Sequence, residues 1–312
     1  MNATVIQEPA AAHHVKGSVD LSLGNLDCEG DLVVDDNILD GREVRAAGSV
    51  RVAGVIQAAI VHAGGDLRAL GGITGRDKAD CRAGGEIHAR YIVKAKVQAD
   101  GDVHVETEIL NSQISCRGSV AVKAGAISGG RVSAVGNVLC RKLGCHNAIT
   151  VVEAGVDSAT EHIAATVLAD IESRRQRAAK IRQTVEPLLK NQKSLTPQQK
   201  EKATEILFES DGIAAEAARM MEALRDRCRS NVSPSSPEIR VLGTAYPGVS
   251  VRLGDLQTSL ETAFAGPFSI VVRGAGADKR IVIIDDGGGV IELNAHPVTS
   301  GGAKIVRQLC AS

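Results

Sequence analysis

Aromatic residues make up only 2% of the 312-residue chain, and tryptophan is absent. A globular core of this length normally recruits Phe and Trp for their area, so the interior here must be built from small, uniform side chains. No apolar run approaches the ~18 residues that a membrane helix needs. Residues 1–14 hold no apolar stretch behind a basic start, so no secretory leader is expected and the compartment reads as cytoplasmic. The seven cysteines include no CxxC pair, which leaves zinc-ribbon and dithiol redox chemistry unsupported. No GxxxxGK[ST] phosphate loop occurs. A net charge of −1 and the lack of stacking aromatics argue against nucleic acid as a partner.

What is abundant is glycine, with 33 residues, and seven of them are spaced as a repeat. Gly30, Gly48, Gly65, Gly85, Gly101, Gly118 and Gly136 mark units of 18, 17, 20, 16, 17 and 18 residues. Two residues after each glycine stand Leu32, Val50, Leu67, Ile87, Val103, Val120 and Val138; four after stand Val34, Val52, Ala69, Ala89, Val105, Val122 and Cys140. Four before stand Leu26, Val44, Val61, Cys81, Val97, Ile114 and Val132; two before stand Cys28, Ala46, Ala63, Ala83, Ala99, Cys116 and Ala134. All 28 positions are apolar in a chain that is 44% hydrophobic, so the repeat is a packing device.

Columns two residues apart carry the period of a strand. Each unit therefore holds one strand before its glycine corner and one after it. A third segment fills the middle, with Ile38, Ile56, Ile73 and Ile109 each eight residues past its glycine. Three short strands in about 17 residues form one coil of a parallel β-helix, and seven coils span about 29 Å at the strand spacing of ~4.8 Å. Parallel β connections are overwhelmingly right-handed, which predicts a right-handed coil over residues 15–157. Residues 1–14 are expected to be a disordered N-terminus. Cys28, Cys81, Cys116 and Cys140 fall in inward columns, where a thiol acts as a small hydrophobe. Cys145 beside His146, with Cys140, is the weaker alternative of a metal set.

Over residues 158–230 glycine nearly disappears and Ala, Glu, Arg, Lys and Gln take over. Val167, Ile171, Arg174, Ala178, Ile181, Val185 and Leu188 step by three and four residues, as do Ala203, Ile206, Ser210, Ile213, Ala217, Met220 and Leu224. This pattern predicts an antiparallel coiled-coil hairpin. Each arm is about 45 Å long at 1.5 Å per residue, so the hairpin is expected to protrude. Between the arms residues 191–197 are polar, and Thr196 with Pro197 supplies an N-cap and a first-turn proline. Pro187 is expected to kink or stop the first arm. After Pro234 and Pro237 strand patterns return at 238–242, 249–253, 269–273 and 279–284, separated by glycine-containing turns that include Gly243. Residues 231–285 are read as a β return that caps or extends the stack, and 286–312 as an unassigned tail.

The outward positions are the candidate functional surface. Three residues past the glycine stand Arg51, Arg68, His88 and His104; three before stand Arg45, His62 and Arg82. Stacked coils turn these into cationic stripes. Asp31, Asp66, Glu86 and Asp102 form an acidic column one residue past the glycine, placed to neutralise them. The pair His88 and His104 is a candidate for a metal or an anion. Arg174, Arg175, Arg177, Lys180 and Arg182 make the first arm basic, either as a solvated face or as a dock for an acidic partner.

Several stretches resemble the flagellar assembly protein A family. They are GDLVVDDNILDGREVRAAGSVRVAGVIQAAIVHAGGDLRALGGITGR at 30–76, AGGEIHARYIVKAKVQADGDVHVETEILNSQISCRGSV at 83–120, VVEAGVDS at 151–158 and AYPGVSVRLGD at 245–255. The resemblance covers residues 15–285 and implies a right-handed β-helix, a coiled-coil hairpin and a short β return. Family members usually carry a sizeable domain before the β-helix, and here about 14 residues precede it, so the resemblance reads the chain as a short form lacking that domain. It implies a scaffolding or localisation role in flagellar assembly and cell-pole organisation, with proteins as partners, and supplies no catalytic residue.

The fold class expected is thus mainly β with an α-helical insertion. The function expected is a non-catalytic scaffold with no catalytic residue, cofactor or metal assigned. Its partner-binding surface is expected at Arg51, Arg68, His88, His104, Arg174, Arg175, Arg177 and Lys180. One alternative is a self-assembling, bactofilin-like cytoskeletal element, since β-helices stack end to end when poorly capped, which leaves room for a homo-oligomer. The other is a carbohydrate-active enzyme. That reading is disfavoured because the acids sit at corners and Tyr91 and Tyr246 are the only tyrosines.

Overall fold

A computed structural model describes residues 12–190, 196–230 and 236–298, with Ala303 and Val306. The chain divides into two compact units, Met1–Ser158 with Ser233–Val298 and Ala159–Val232 with Thr299–Ser312. The first is a β-solenoid of about eight turns. Its strands pair in parallel, so that Leu32, Val50, Leu67, Ile87, Val103, Val120 and Val138 lie in one register. A second register carries Leu26, Val44, Val61, Cys81, Val97, Ile114, Val132 and Val152. The middle register runs through Val19, Ile38, Ile56, Ile73, Ile92, Ile109, Ile127 and Leu143. Of the 28 repeat positions, 26 are buried and only Leu26 and Cys28, in the first coil, are half-buried. Strand alternation thus assigned the inward face correctly.

The corners explain the glycines. The backbone N–H of Ser49 donates to Asp31 Oδ1 (2.7 Å), that of Asp66 to Ser49 Oγ (3.1 Å), and that of Glu86 to Asp66 Oδ1 (3.0 Å). The ladder resumes with Ser119 on Asp102 Oδ1 (2.7 Å), Asn137 on Ser119 Oγ (3.1 Å) and Glu238 on Asn137 Oδ1 (3.0 Å). Except for Asn137, whose donor Glu238 follows Pro237, each short acceptor folds over the glycine of the following coil. A Cβ on Gly48, Gly85 or Gly118 would lie 2.1, 2.2 or 2.0 Å from the aspartate above it. These glycines are therefore required by close approach. At the opposite corner Lys94 and Asn111 stand at φ 48° and 46°, and Gly129 continues that position at φ 72°.

The seven coils read from the glycines fall short of the observed turns at both ends. A coil with strands His13–Val15 and Leu26–Cys28 precedes the first corner glycine, and its first strand pairs with Leu32–Val34. After the helices the chain returns: Glu238–Ala245 and Val249–Leu253 pair in parallel with Val138–Leu143 and Thr150–Ala154. Neither end repeats the corner glycine: His13 aligns with Leu32 and Ile239 with Val138, and two residues before them the sequence has Ala11 and Pro237 where the other units have glycine. Gly243 lies inside Glu238–Ala245 instead of ending it.

Antiparallel strands then cover the edge of this last coil. Phe268–Arg273 pairs with Glu238–Ala245, Leu256–Ser259 pairs with Val249–Leu253, and Arg280–Asp285 pairs with Phe268–Arg273. The sheet is therefore mixed. Part of the unassigned tail is ordered strand: Val290–Leu293 pairs with Arg280–Asp285 and His296–Pro297 with Leu256–Ser259. Residues 1–11 and 299–312, apart from Ala303 and Val306, lie outside the described residues, as do Pro234 and the polar segment 191–195.

The second unit contains two helices, α1 (Ser158–Lys190) and α2 (Pro197–Ser230), of 33 and 34 residues. Thr196 and Gln199 cap α2 reciprocally: Thr196 Oγ1 accepts from Gln199 N–H (3.3 Å), and Gln199 Oε1 accepts from Thr196 N–H (2.9 Å). Pro187 does not end α1, which runs on to Lys190. Between the helices Ala164 packs with Leu224 and Cys228, Arg174 pairs with Glu216, Ser210 Oγ donates to Ala178 O (3.2 Å), and Arg182 pairs with Asp211. The buried stripe includes Ile171, Ala178, Val185, Ser210, Ala217 and Leu224. At the far end it departs from the sequence pattern. Leu188 and Ile206 are exposed, while their neighbours Leu189 and Leu207 are half-buried. A helix of 3.6 residues per turn drifts off a strict 3.5-residue seam, and the buried position moves on by one.

Candidate functional site

The solenoid registers place Arg51, Arg68, His88 and His104 side by side on consecutive coils. Each lies between two inward residues of its strand, so each side chain points outward. In three of these coils the basic residue meets the acid two positions earlier: Arg68 to Asp66 at 3.9 Å, His88 to Glu86 at 3.0 Å, and His104 to Asp102 at 3.9 Å; two before Arg51 stands Ser49. The stripe on the other side of the corner is neutralised similarly. Arg45 donates to Glu43 (2.8 Å), and Arg82 makes a two-pronged contact with Asp80 (3.0 and 2.9 Å). The Arg82 hydrogen bonds hold the Asp80 carboxyl below its usual range, with Lys96 and His62 adding to the effect.

The acidic column has a second role that residue spacing does not reveal. Asp31, Asp66 and Asp102 are the corner acceptors described above, each receiving a backbone N–H from the next coil. Glu86 is the exception: its carboxylate meets the His88 ring. His88 and His104 have ring centroids 4.7 Å apart with planes at 33°. One ligand atom from each of Glu86, His88 and His104 lies within 4.8 Å of the others, and this is the metal-capable cluster among the described residues.

Arg174, Arg175, Arg177 and Lys180 belong to the other unit, on α1. Arg174 sits in the stripe between the helices and bonds Asp170 (3.1 Å) and Glu216 (2.8 Å). Arg175, Arg177 and Lys180 are exposed.

Cys81, Cys116 and Cys140 face inward, and burial pushes each thiol up to about 12. Cys28 is raised by the same cause. Cys145, half-buried, is lowered by a hydrogen bond with the Ser128 side chain and further bonds from Asn147 and Ala148. Cys140, Cys145 and His146 do not form a metal-capable group among the described residues. The ring of His146 instead meets Tyr246 edge-on at 5.0 Å.

Sequence reasoning passed over Glu153, in the VVEAGVDS stretch. It is 3% exposed although it stands at an outward position. Its carboxylate accepts from Arg131 Nη1 (2.7 Å) and the Ser133 hydroxyl, and lies 3.7 Å from Arg252 Nη1. The one signal available was its register, which puts it next to Ser133 and Arg252.

Among the described residues no helix is long and apolar enough to cross a membrane. The sequence matches the flagellar assembly protein A β-solenoid domain over residues 11–276, and the chain belongs to that family. No curated protein and no solved structure matches it.

Proposed function

We propose that this member of the flagellar assembly protein A family is a non-catalytic scaffold or localisation protein for flagellar assembly and cell-pole organisation, acting in the cytoplasm. Its family supplies the link to flagellar assembly. Its partners are proteins, which bind the outward stripe of Arg51, Arg68, His88 and His104 and the exposed basic face of α1 at Arg175, Arg177 and Lys180. The observation that carries this reading is the register itself. Side chains repeated at the strand spacing on a rigid ladder give a partner several evenly spaced contacts without any rearrangement of the backbone.

The helix pair is read as an antiparallel coiled-coil hairpin, because contacting residues fall in number on α2 as they rise on α1. The solenoid is read as right-handed from the general rule for parallel crossovers. End-to-end self-assembly is disfavoured, since antiparallel strands already occupy the edge of the last coil.

The experiment is a pull-down from native cells with the full chain and with a version in which 159–235 is replaced by a short linker. Gly155 and Pro237 are neighbours, a Cβ on Gly155 lying 2.6 Å from Pro237 Cγ, so the solenoid can be closed across the excision. Loss of a partner set assigns it to the helices. A further charge reversal, Arg51→Glu with Arg68→Glu, should release partners of the solenoid. If neither change removes any bound protein, the proposal fails.

A further inference from the structure

We propose that Glu86, His88 and His104 form a site for a zinc-class divalent cation, which fastens two neighbouring coils at the point where the corner ladder lacks its hydrogen bond. Along the column Ser49, Asp66, Glu86, Asp102, Ser119, Asn137 and Glu238, six backbone N–H groups donate to the side chain one coil earlier. The Asp102 N–H has no such partner among the described residues. The cause is Glu86. One methylene longer than aspartate, its side chain does not fold over the next glycine, and the three atoms nearest to a Cβ built on Gly101 are backbone atoms of Gly85 and Glu86, where the aspartate coils have a carboxylate oxygen. The carboxylate is turned instead to His88 Nε2, at 3.0 Å.

The same residues hold a donor set. Glu86 and His88, two apart on one strand, share its outward face, and His104 stands beside His88 in register on the next coil. Their ligand atoms lie within 4.8 Å of one another, and zinc bonds of ~2.0–2.2 Å require somewhat closer approach. The side chains are 47%, 38% and 31% exposed, so rotation about their own bonds can close that gap without moving the ladder. Two imidazoles and one carboxylate suit zinc, cobalt or nickel better than calcium or magnesium, which prefer oxygen alone. Asp102 Oδ2, 3.9 Å from His104 Nε2, adds a second negative charge nearby. Arg90, Glu106 and Lys123 line the adjoining hollow. The two cations there would suit an anion, but the Glu86 carboxylate beside His88 would repel one, which favours a cation. Such an ion joins a ligand pair on one coil to a ligand on the next, replacing the missing coil-to-coil hydrogen bond.

The test is titration of the full chain with zinc chloride by calorimetry, with thermal unfolding in zinc and in chelator. One equivalent should bind, and zinc should raise the unfolding midpoint. His88→Gln and His104→Gln should each weaken that binding by more than about tenfold and remove the zinc-dependent rise. His62→Gln, in the other stripe, should change neither. Glu86→Asp should weaken zinc binding and raise the midpoint in chelator, because the shorter carboxylate can accept from Asp102 N–H as its counterparts do. The proposal is overturned if zinc leaves the midpoint unchanged, if the rise survives in both glutamine variants, or if inorganic phosphate and not zinc produces it. Circular dichroism of each variant separates loss of the site from loss of the fold.

Discussion

Asp102 Oδ1 lies 2.7 Å from the backbone nitrogen of Ser119 in the next coil, and it fills the space that a Cβ on Gly118 would need. One contact thus fixes two residues of the repeat at once, the acceptor in one coil and the glycine in the following one. Gly118→Ala would bring its Cβ within 2.0 Å of that oxygen and 2.8 Å of the Asp102 nitrogen. Either the acceptor leaves or the backbone shifts, at a cost of about 2–4 kcal/mol. Gly212→Ala, in α2 with nothing within 4 Å, should instead stabilise by about 0.5–1 kcal/mol. Urea melts of the two variants should move in opposite directions.

Val103 is fully buried in the middle of the ladder. Val103→Asp should cost several kcal/mol, since it loses burial of roughly 1.5–3 kcal/mol and places a charge in an apolar interior. Arg68, on the outward face of the neighbouring register with a half-exposed side chain, should tolerate Arg68→Ala within about 0.5 kcal/mol. Equal destabilisation of the two in urea would contradict the assignment of faces.

Glu153 is buried with Ser133 and Arg252 and also bonds Arg131, whose side chain is half-exposed. Glu153→Ala removes the carboxylate from a buried ionic group and should cost about 3–5 kcal/mol. Glu43→Ala breaks an exposed pair with Arg45 and should cost less than about 1 kcal/mol. Thermal melts that rank the two the other way would show that the cluster contributes little.

Only the thiolate is nucleophilic, so the two classes of cysteine should differ in alkylation. Cys81, Cys116 and Cys140, pushed up to about 12, should stay unmodified by iodoacetamide in the native protein at mildly alkaline pH. Cys145, lowered and half-buried, should react ahead of those three. Peptide mapping after a timed reaction reads the order directly.

The lowered carboxyl of Asp80 gives a pH signature. A folded-state value below the unfolded one, ordinarily about 3.9, means that the group stabilises above that pH. The contribution is lost as pH falls through the folded value. Wild type should therefore exceed Asp80→Asn in stability at neutral pH, and the gap should narrow on acidification below about pH 4. A gap that stays constant in urea melts across that range would exclude the Arg82 pairing as its source.

The sequence by itself determined the inward face of the solenoid. Leu67, Ile87 and Val103 alternate with polar neighbours at the strand period, and in a strand that alternation is also the alternation of burial. It also marked both helices and the cap at Thr196, because propensity and capping act over a few adjacent residues. Tertiary structure alone decided what the outward residues do. Whether an aspartate is a corner acceptor or a free surface charge depends on the backbone of the next coil, 17 residues away for Asp102 and Ser119. Whether Glu153 is buried depends on what stacks beside it, and the shift from Leu188 to Leu189 depends on how one helix meets another. Local periodicity records how a segment is wound; the partner of each side chain is set by distance through space, which the order of residues does not state.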